Sequence, residues 1–460
     1  MKFTIENVGP IKKAEIEFGN LTILCGKNNT GKTYITYNAF NYLDAIKYFL
    51  RVDIDKEYSE KLLRTGKISI DLFGYLSNYH AMFKIAMENW VKTESWRQMA
   101  SHKDYYANTK MLLEYDFYEF EAFVKKQNGE EHFPITKNCI LHINKNQDEF
   151  SIDFTIENTG QELPDVDMLH KHLEGFLSFV FNSFFSDTFI ITCERTGVAC
   201  FRPSFIYSPP KKISLKKLNE YDENAPKYPR PMQKDWRFVV EFKEATIEKS
   251  FIAEEHPYIL DYFSDICGGE YSLNDDLVLF EPQGASGVKL TTTESSSTVR
   301  SLMELNFYLK HKAKRHQCLI IDEPELNLHP ENQRKIARLL VMLINAGIRV
   351  AITTHSDYII REFDFMTRLY SNPDLAEKLG YNRDQLLKAD RIKTYVTSPI
   401  GNTGKYELKE ISVSEENGIE SSSFDTSIED MNFIQQAIQM GEVMSDDDFV
   451  FLDNNCGREQ

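Results

Sequence analysis

The spacing of apolar and polar residues near the start of the chain predicts strands followed by a helix. Two alternating stretches on either side of Gly9-Pro10 predict a β-hairpin. The continuous apolar run 21–24 predicts a buried strand, and apolar residues three or four positions apart over 34–50 predict a helix. A loop with two glycines separates these last two elements, so we expect the order strand, loop and helix.

The next segment, about 51–126, has a mostly helical pattern. The turn sequence 127–129 is expected to end it. The stretches 140–143 and 150–154 alternate like the two strands of a hairpin, and 169–185 returns to helical spacing. One stripe of apolar residues predicts a helix with a buried face: Leu72, Leu76, Tyr79, Phe83, Met87 and Trp90.

The second half of the chain alternates strands with helices, which is typical of an α/β fold. The proline-rich, charged stretch 209–231 predicts a surface linker, and Asp446-Asp447-Asp448 predicts a solvated acidic tail. Strands are predicted over 189–192, 277–280, 289–293, 318–321 and 349–353, and helices over 258–267, 298–312 and 332–345.

Composition narrows the class of protein. The 460 residues carry a net charge of −17, which argues against a surface coated by nucleic acid but leaves room for a local basic groove. The seven cysteines form no CxxC pair, so we expect reduced thiols and a cytoplasmic protein. No run approaches the roughly 18 apolar residues of a membrane span, so we expect no membrane partner.

The loop after the first buried strand carries the strongest chemical signal. Gly26 and Gly31-Lys32-Thr33 match the phosphate-binding pattern G-x-x-x-x-G-K-[ST], and the flanking strand and helix are the context this loop requires. Backbone N–H groups and the helix N-terminus would attract phosphate, Lys32 would reach the β- and γ-phosphates, and Thr33 would hold Mg²⁺. The expected nucleotide-binding residues are Gly26, Lys27, Asn28, Asn29, Thr30, Gly31, Lys32 and Thr33.

Two further groups of polar residues follow predicted core strands. Asp322 and Glu323 directly follow the predicted strand 318–321. They therefore lie at the carboxyl end of a strand, which is where ligands bind in open α/β sheets. We expect Asp322 to bind Mg²⁺ and Glu323 to activate water. His355 follows the next strand and, as a catalytic residue, would contact the γ-phosphate or orient the water beside it. The alternatives are a helix N-cap with acids in its first turn, favoured by Pro324, and a structural histidine.

At this point the chain resembles a known family. The phosphate loop, Asp322-Glu323 and His355 stand in the order of the ABC-type ATPases of the SMC, RecF and OLD groups. Residues 322–330 resemble the extended Walker B and D-loop of the bacterial single-chain members. Residues 353–358 are similar to their H-loop, and Glu194-Arg195-Thr196-Gly197 resembles their "ER-S/T-G" element.

The same resemblance places the family's signature motif, Ser-Gly-Gly, at Ser295-Ser296-Ser297, where the glycines are missing. These hydroxyls would contact the ATP of the opposite subunit, and the alternative is a plain N-cap of the following helix. The glutamine of the Q-loop has only two unplaced candidates, Gln233 and Gln283.

The resemblance implies an α/β fold, namely an ABC-ATPase head with a mixed central sheet flanked by helices, plus a helical insert. The head would be divided between 1–50 and 189–370. The mostly helical insert with its hairpin would cover 51–188, and an α/β extension with an acidic tail would cover 371–460. It also implies ATP and Mg²⁺ as cofactors, and ATP-dependent association of two copies into a homodimer or a larger homo-oligomer.

Within this group the chain most resembles AriA, the sensor ATPases of PARIS anti-phage systems, and PtuA, the ATPases of Septu, is the close runner-up. The resemblance lies in the compact length, the helical insert and the Glu-Arg-Thr-Gly element. This implies a separate nuclease effector subunit as partner and a phage-encoded protein as trigger. A DNA-binding repair or chromosome ATPase of the RecF or SMC type stays open, although the acidic charge and the lack of sustained heptads count against it. An OLD-like ATPase with its own nuclease also stays open, although no convincing strand with terminal acids follows His355.

Overall fold

The computed structural model describes residues 1–160, 163–185, 187–207 and 228–420. The strands are β1 (Lys2–Val8), β2 (Ile11–Glu17), β3 (Leu21–Cys25), β4 (Lys67–Asp71), β5 (Lys110–Glu114), β6 (Gly129–Thr136), β7 (Cys139–Lys145), β8 (Ser151–Asn158), β9 (Thr188–Ile191), β10 (Gly269–Asn274), β11 (Leu277–Pro282), β12 (Leu290–Thr291), β13 (Cys318–Asp322), β14 (Arg349–Thr354), β15 (Ile392–Pro399), β16 (Tyr406–Ile411), β17 (Val413–Ser414) and β18 (Gly418–Ile419).

The helices are α1 (Lys32–Phe49), α2 (Lys56–Thr65), α3 (Phe73–Thr93), α4 (Ser95–Gln98), α5 (Phe117–Lys126), α6 (Val166–Asn182), α7 (Arg195–Tyr207), α8 (Arg230–Val240), α9 (Phe242–Ala245), α10 (Phe251–Glu255), α11 (Pro257–Cys267), α12 (Ser297–His311), α13 (Pro330–Asn345), α14 (Asp357–Arg368) and α15 (Pro373–Lys378). In the described part of the chain, no helix is long and apolar enough to cross a membrane.

A mixed sheet forms the centre of the fold. Within the described residues it has nine strands in the order β5-β1-β2-β16-β15-β3-β14-β13-β9. The five strands from β15 to β9 run parallel to one another, and β16, β1 and β5 bring in the antiparallel pairings. The mixed α/β class expected from the sequence is therefore confirmed.

Both faces of the parallel strands are buried. In β3, Ile23 packs into one hydrophobic cluster with α12, α13 and α14, whereas Leu24 packs into the other with α1 and α3. In β13 the same alternation separates Ile320 from Ile321. Burial on both faces explains why these strands read as continuous apolar runs in the sequence, without the alternation of a half-exposed strand.

The N-terminal hairpin is confirmed, with β1 and β2 antiparallel around Gly9-Pro10. The apolar stripe of the insert is also confirmed, since Leu76, Phe83 and Trp90 are all buried in α3. The insert, however, contributes β5 to the edge of the central sheet beside β1.

The strands of the insert differ from the expected hairpin. They form a four-stranded antiparallel sheet in the order β4-β8-β7-β6. The sequence missed β6, because seven of its eight residues are exposed and no apolar alternation marks it. The turn expected at 127–129 runs directly into β6 at Gly129.

The residues expected as a C-terminal extension contribute to the central sheet. β15 lies between β3 and β16, and it is parallel to β3 with Val396 opposite Cys25. The boundary near 370 stays a prediction, but the strands beyond it belong to the same sheet as the phosphate loop. Sequence patterns could not place β15, because its partner β3 is far away along the chain.

Other expected elements differ in length or fall outside the described residues. The strand expected over 289–293 is only Leu290–Thr291. Most of the expected linker 209–231 and the acidic run Asp446-Asp447-Asp448 lie outside the described residues.

Candidate active site

The candidate site lies where β3, β13 and β14 end. The parallel register sets Asp322 opposite Thr353 and Thr354 opposite Cys25. The residues that follow these strands therefore meet at one edge of the sheet. The phosphate loop, the acidic pair and the histidine motif come together as the sequence predicts.

The phosphate loop turns tightly between β3 and α1. Gly26 and Gly31 have φ values of 138° and 98°, in the region that favours glycine. A Cβ atom on Gly26 would lie 2.1 Å from Oγ1 of Thr397, and one on Gly31 would lie 2.7 Å from Cδ1 of Ile11. Both glycines are therefore required by the backbone path and by the surrounding strands.

The Lys32 ammonium group is held inside this loop. Its Nζ donates to the carbonyl oxygens of Gly26 and Lys27, both at 2.9 Å. Burial lowers the pKa of Lys32, while Glu323 and Asp322 act in the opposite direction. A cation placed among loop N–H groups at the start of a helix provides a site for phosphate oxygens.

Thr33 and Asp322 form an oxygen pair beside this lysine. The Thr33 hydroxyl donates to Oδ2 of Asp322 at 3.2 Å, and the Thr353 hydroxyl donates to the other carboxylate oxygen. Burial raises the pKa of Asp322, which is 1% exposed. A hydroxyl and a buried carboxylate are ligands that suit Mg²⁺, and a cation there would offset the cost of burying the charge. The residues therefore fit the expected metal.

Glu323 has an unusual backbone conformation. Its φ is 50°, in the left-handed region that residues other than glycine rarely adopt. Its backbone N–H donates to the carbonyl and hydroxyl oxygens of Thr353, each at 3.1 Å. The side chain is 27% exposed, so this conformation directs a carboxylate toward solvent beside the phosphate loop.

His355 faces two carboxylates. Its Nδ1 lies 3.5 Å from Oε1 of Glu323 and 3.5 Å from Oε1 of Glu325. The hydrogen bond to Glu323 raises the pKa of His355, and the same bond lowers the pKa of Glu323. The buried Glu325 also accepts from the Thr354 hydroxyl at 2.8 Å and from the backbone N–H of His355 at 2.9 Å. Glu325 therefore fixes the histidine loop against the acidic motif.

The three signature serines lie at the start of α12 and not at the phosphate loop of the same chain. Ser295 is buried and donates to the carbonyl oxygen of Thr291 at 2.7 Å. Ser296 is the N-cap, with its hydroxyl accepting from the N–H of Val299 at 3.2 Å, as the plain alternative expected. Ser296 and Ser297 are exposed, so a capping role leaves their surface open to a second molecule.

A buried acid pair lies behind the acidic motif. Asp235 of α8 accepts from the Thr192 N–H at 2.9 Å, and Glu304 of α12 is 1% exposed. Burial raises the pKa of Asp235 to about 6 and raises that of Glu304 well above its usual range. A hydrogen bond between the two carboxyl groups joins α8 to α12.

Some residues that contact the candidate site were not indicated by any pattern in the sequence. Thr397 of β15 donates to the Thr30 hydroxyl at 2.7 Å, which ties the phosphate loop to a strand that the sequence placed outside the head. Of the two Q-loop candidates, Gln233 donates to the Tyr228 carbonyl at 2.6 Å, and Gln283 is exposed after β11. The contacts of neither glutamine identify a Q-loop.

Comparison with known proteins identifies one sequence family. The profile described as "AAA ATPase domain" matches residues 1–182 and 203–360. No protein with a curated description matches the chain.

Several solved structures are similar over most of their length. An SMC head bound to the C-terminal winged-helix domain of ScpA shares 10% identity at a TM-score of 0.35, covering 89% of this chain and 97% of that one. The SMC head domain from Thermotoga maritima shares 12% identity at a TM-score of 0.30, covering 90% and 98%. A Pyrococcus furiosus Smc head with an extended coiled coil, bound to the C-terminal domain of ScpA, shares 11% at a TM-score of 0.32, covering 94% and 98%.

The first prediction concerns Lys32. Lys32→Ala should weaken ATP binding about 100-fold or more, because hydrogen bonds from a charged group are worth about 1.5–3 kcal/mol each. Titration of a fluorescent ATP analogue measures this affinity. Lys110→Ala, at an exposed position of β5, is the control and should bind as the unchanged protein does. Unchanged affinity in Lys32→Ala would contradict the phosphate-loop assignment.

The second prediction concerns the His355–Glu323 ion pair in protein free of nucleotide and Mg²⁺. Since the pKa of His355 is raised, the imidazole should stay protonated above its ordinary pH range, and the pair should be lost as pH rises through that raised pKa. Glu323→Gln should lower this pKa. Imidazole NMR signals, assigned with His355→Asn, follow the titration, and Glu331→Gln is the control. No change on Glu323→Gln would rule out the pair.

Proposed function

The chain belongs to the AAA ATPase domain family, and from this premise we propose that it hydrolyses ATP between two of its own copies as the sensor subunit of an anti-phage defence complex. The observation that carries the proposal is the meeting of Lys32, Asp322, Glu323 and His355 at one sheet edge. Two of the three signature serines, Ser296 and Ser297, are exposed at the start of α12 on the same chain.

The residues of one chain divide the binding of ATP among them. Lys32 and the loop N–H groups bind the β- and γ-phosphates, displacing the carbonyl contacts that Lys32 makes without nucleotide. Thr33 and Asp322 would hold Mg²⁺, which would supply positive charge beside the phosphate oxygens.

Glu323 is the proposed general base. Its partly exposed carboxylate accepts the proton of the attacking water, and its lowered pKa keeps it ionised at neutral pH. His355 orients this carboxylate, with its Nδ1 3.5 Å from Oε1 of Glu323. Glu325 limits the movement of His355 through the backbone N–H bond.

The second copy supplies the remaining contacts. Ser296 and Ser297 are exposed at the N-terminus of the 15-residue helix α12, which carries partial positive charge. Placed against the γ-phosphate of another chain, they would close the site and exclude water. ATP therefore joins the two subunits, and its hydrolysis separates them.

The sensor role rests on the resemblance to PARIS and Septu ATPases and on the surface of the insert. Large side chains there are exposed, including Tyr105 at 73%, Tyr118 at 79% and Phe179 at 65%. Exposed aromatic residues are typical of surfaces that bind other proteins. We propose that this insert holds a separate nuclease effector, which is released after a phage-encoded protein binds.

The third prediction separates binding from hydrolysis. Glu323→Gln should retain ATP but lose hydrolysis about 100-fold or more, because an amide cannot accept a proton from water. The ATP-bound homodimer should then accumulate, as measured by light scattering after size exclusion with ATP and Mg²⁺. Glu331→Gln is the control. Unchanged hydrolysis would exclude Glu323 as the base, and a monomer in ATP would exclude the shared site.

The fourth prediction concerns the effector. The purified ATPase should cleave neither DNA nor RNA, and it should copurify with the product of the adjacent gene when both are expressed. With ATP and the phage-encoded trigger present, the unchanged ATPase should release the effector and Glu323→Gln should retain it, because release requires hydrolysis.

Three outcomes would contradict this prediction. Metal-dependent cleavage by this chain alone, lost on changing Asp446-Asp447-Asp448, would favour the OLD-like alternative. Salt-sensitive binding of DNA would favour the RecF or SMC alternative. Failure of the adjacent gene product to bind would remove the role of sensor and scaffold.

A further inference from the structure

One buried guanidinium group contacts the backbone of the candidate site from behind. Arg195 begins α7 directly beyond β9 and is 4% exposed. Its Nη1 donates to the carbonyl oxygens of Thr192 at 3.0 Å and Asp322 at 2.8 Å. Its Nη2 donates to the carbonyl of Glu323 at 2.6 Å, and its Nε donates to that of Ser301 at 3.1 Å. One side chain thus joins β9, β13 and α12.

We propose that Arg195, with its neighbour Thr196, is a positioning element that fixes the backbone of Glu323 and links it to the signature helix α12. This inference rests on the proposed role of Glu323 as the base. The left-handed φ of 50° at Glu323 is unfavourable for a residue with a Cβ, so partners outside the residue must hold it. Arg195 holds the carbonyl side of this residue, and Thr353 holds its N–H side.

Two sets of hydrogen bonds connect the backbone of the acidic motif to α12. Arg195 binds the carbonyl of Ser301, one turn beyond the signature serines. Thr196 accepts from Nδ2 of Asn327 at 3.2 Å, and the Asn327 carbonyl accepts from the Thr298 hydroxyl at 2.7 Å. Contact between α12 and a second subunit's ATP is therefore transmitted to the backbone that carries the base.

The contacts of Arg195 require the planar, forked guanidinium group of an arginine and not only its positive charge. A planar guanidinium presents five donors in fixed directions, whereas a lysine ammonium presents three at one point and is shorter. The fork reaches carbonyls on three separate elements at once. Arg195→Lys keeps the positive charge beside the buried Asp235 and Glu304, so it tests the fork alone.

A matched control lies on the same helix. Arg202 is 2% exposed, and its guanidinium also binds backbone carbonyls, those of Val239 at 2.7 Å and Asp276. These carbonyls belong to α8 and to the turn before β11, away from the acidic motif. Arg202→Lys therefore removes a similar buried fork without touching Asp322 or Glu323.

The fifth prediction compares these variants by steady-state hydrolysis, by binding of an ATP analogue and by thermal unfolding. Arg195→Lys should lower kcat about 100-fold, since a displacement of about 1 Å at a reacting group has such an effect. Its affinity for the ATP analogue should stay within about threefold of the unchanged protein, because the phosphate loop is intact. Its ATP-bound dimer should accumulate. Arg202→Lys should lower Tm by about as much as Arg195→Lys does, but it should leave kcat unchanged.

If Arg195→Lys does not fold, Thr196→Val tests the link to α12 instead. This variant should lower kcat severalfold and leave the affinity for ATP unchanged. The inference is overturned if kcat of Arg195→Lys or Thr196→Val stays at the unchanged level. It is also overturned if Arg195→Lys loses kcat and ATP affinity together, or loses no more kcat than Arg202→Lys. An unchanged protein that hydrolyses no ATP would instead remove the proposed function.

Discussion

The parallel register of five neighbouring strands is the constraint on which the site depends. β15, β3, β14, β13 and β9 run in one direction, so their carboxyl ends share one edge. Each strand then delivers a different chemical group there, from the phosphate loop to the guanidinium beyond β9. A one-residue slip would reverse the faces of a strand and move its terminal groups away from the others. The apolar clusters on both faces of the sheet prevent such a slip.

The same edge concentrates charge that is costly to bury. Asp322, Lys32 and Arg195 are all buried or nearly so, and each is paired with hydroxyls, carbonyls or opposite charges. Buried charges are tolerated when hydrogen bonds satisfy them. Burial raises the pKa of Asp322 and lowers the pKa of Lys32, so burial disfavours the charged form of each group. A phosphate group beside Lys32 and a cation beside Asp322 would favour the charged forms.

The proposed function would link catalysis to assembly. The proposed base, the proposed metal ligands and the phosphate loop lie at one sheet edge, while the exposed start of α12 is a separate surface of the same chain. Arg195 connects α12 to the Glu323 backbone through a single side chain. Engagement of a second copy can therefore alter the position of the base without any large movement of the sheet.

The sequence by itself determined the phosphate loop, the acidic pair, the histidine motif and the core strands that carry them, because each depends on spacing between near neighbours. The apolar stripe of α3 also follows from helical periodicity alone. Only the tertiary structure decided that β15 lies beside β3 and brings Thr397 to Thr30, across 367 positions of the chain. It also decided that Arg195 reaches Glu323, 128 positions away. Such contacts depend on strand order and burial, which arise from cooperative packing and leave no local pattern.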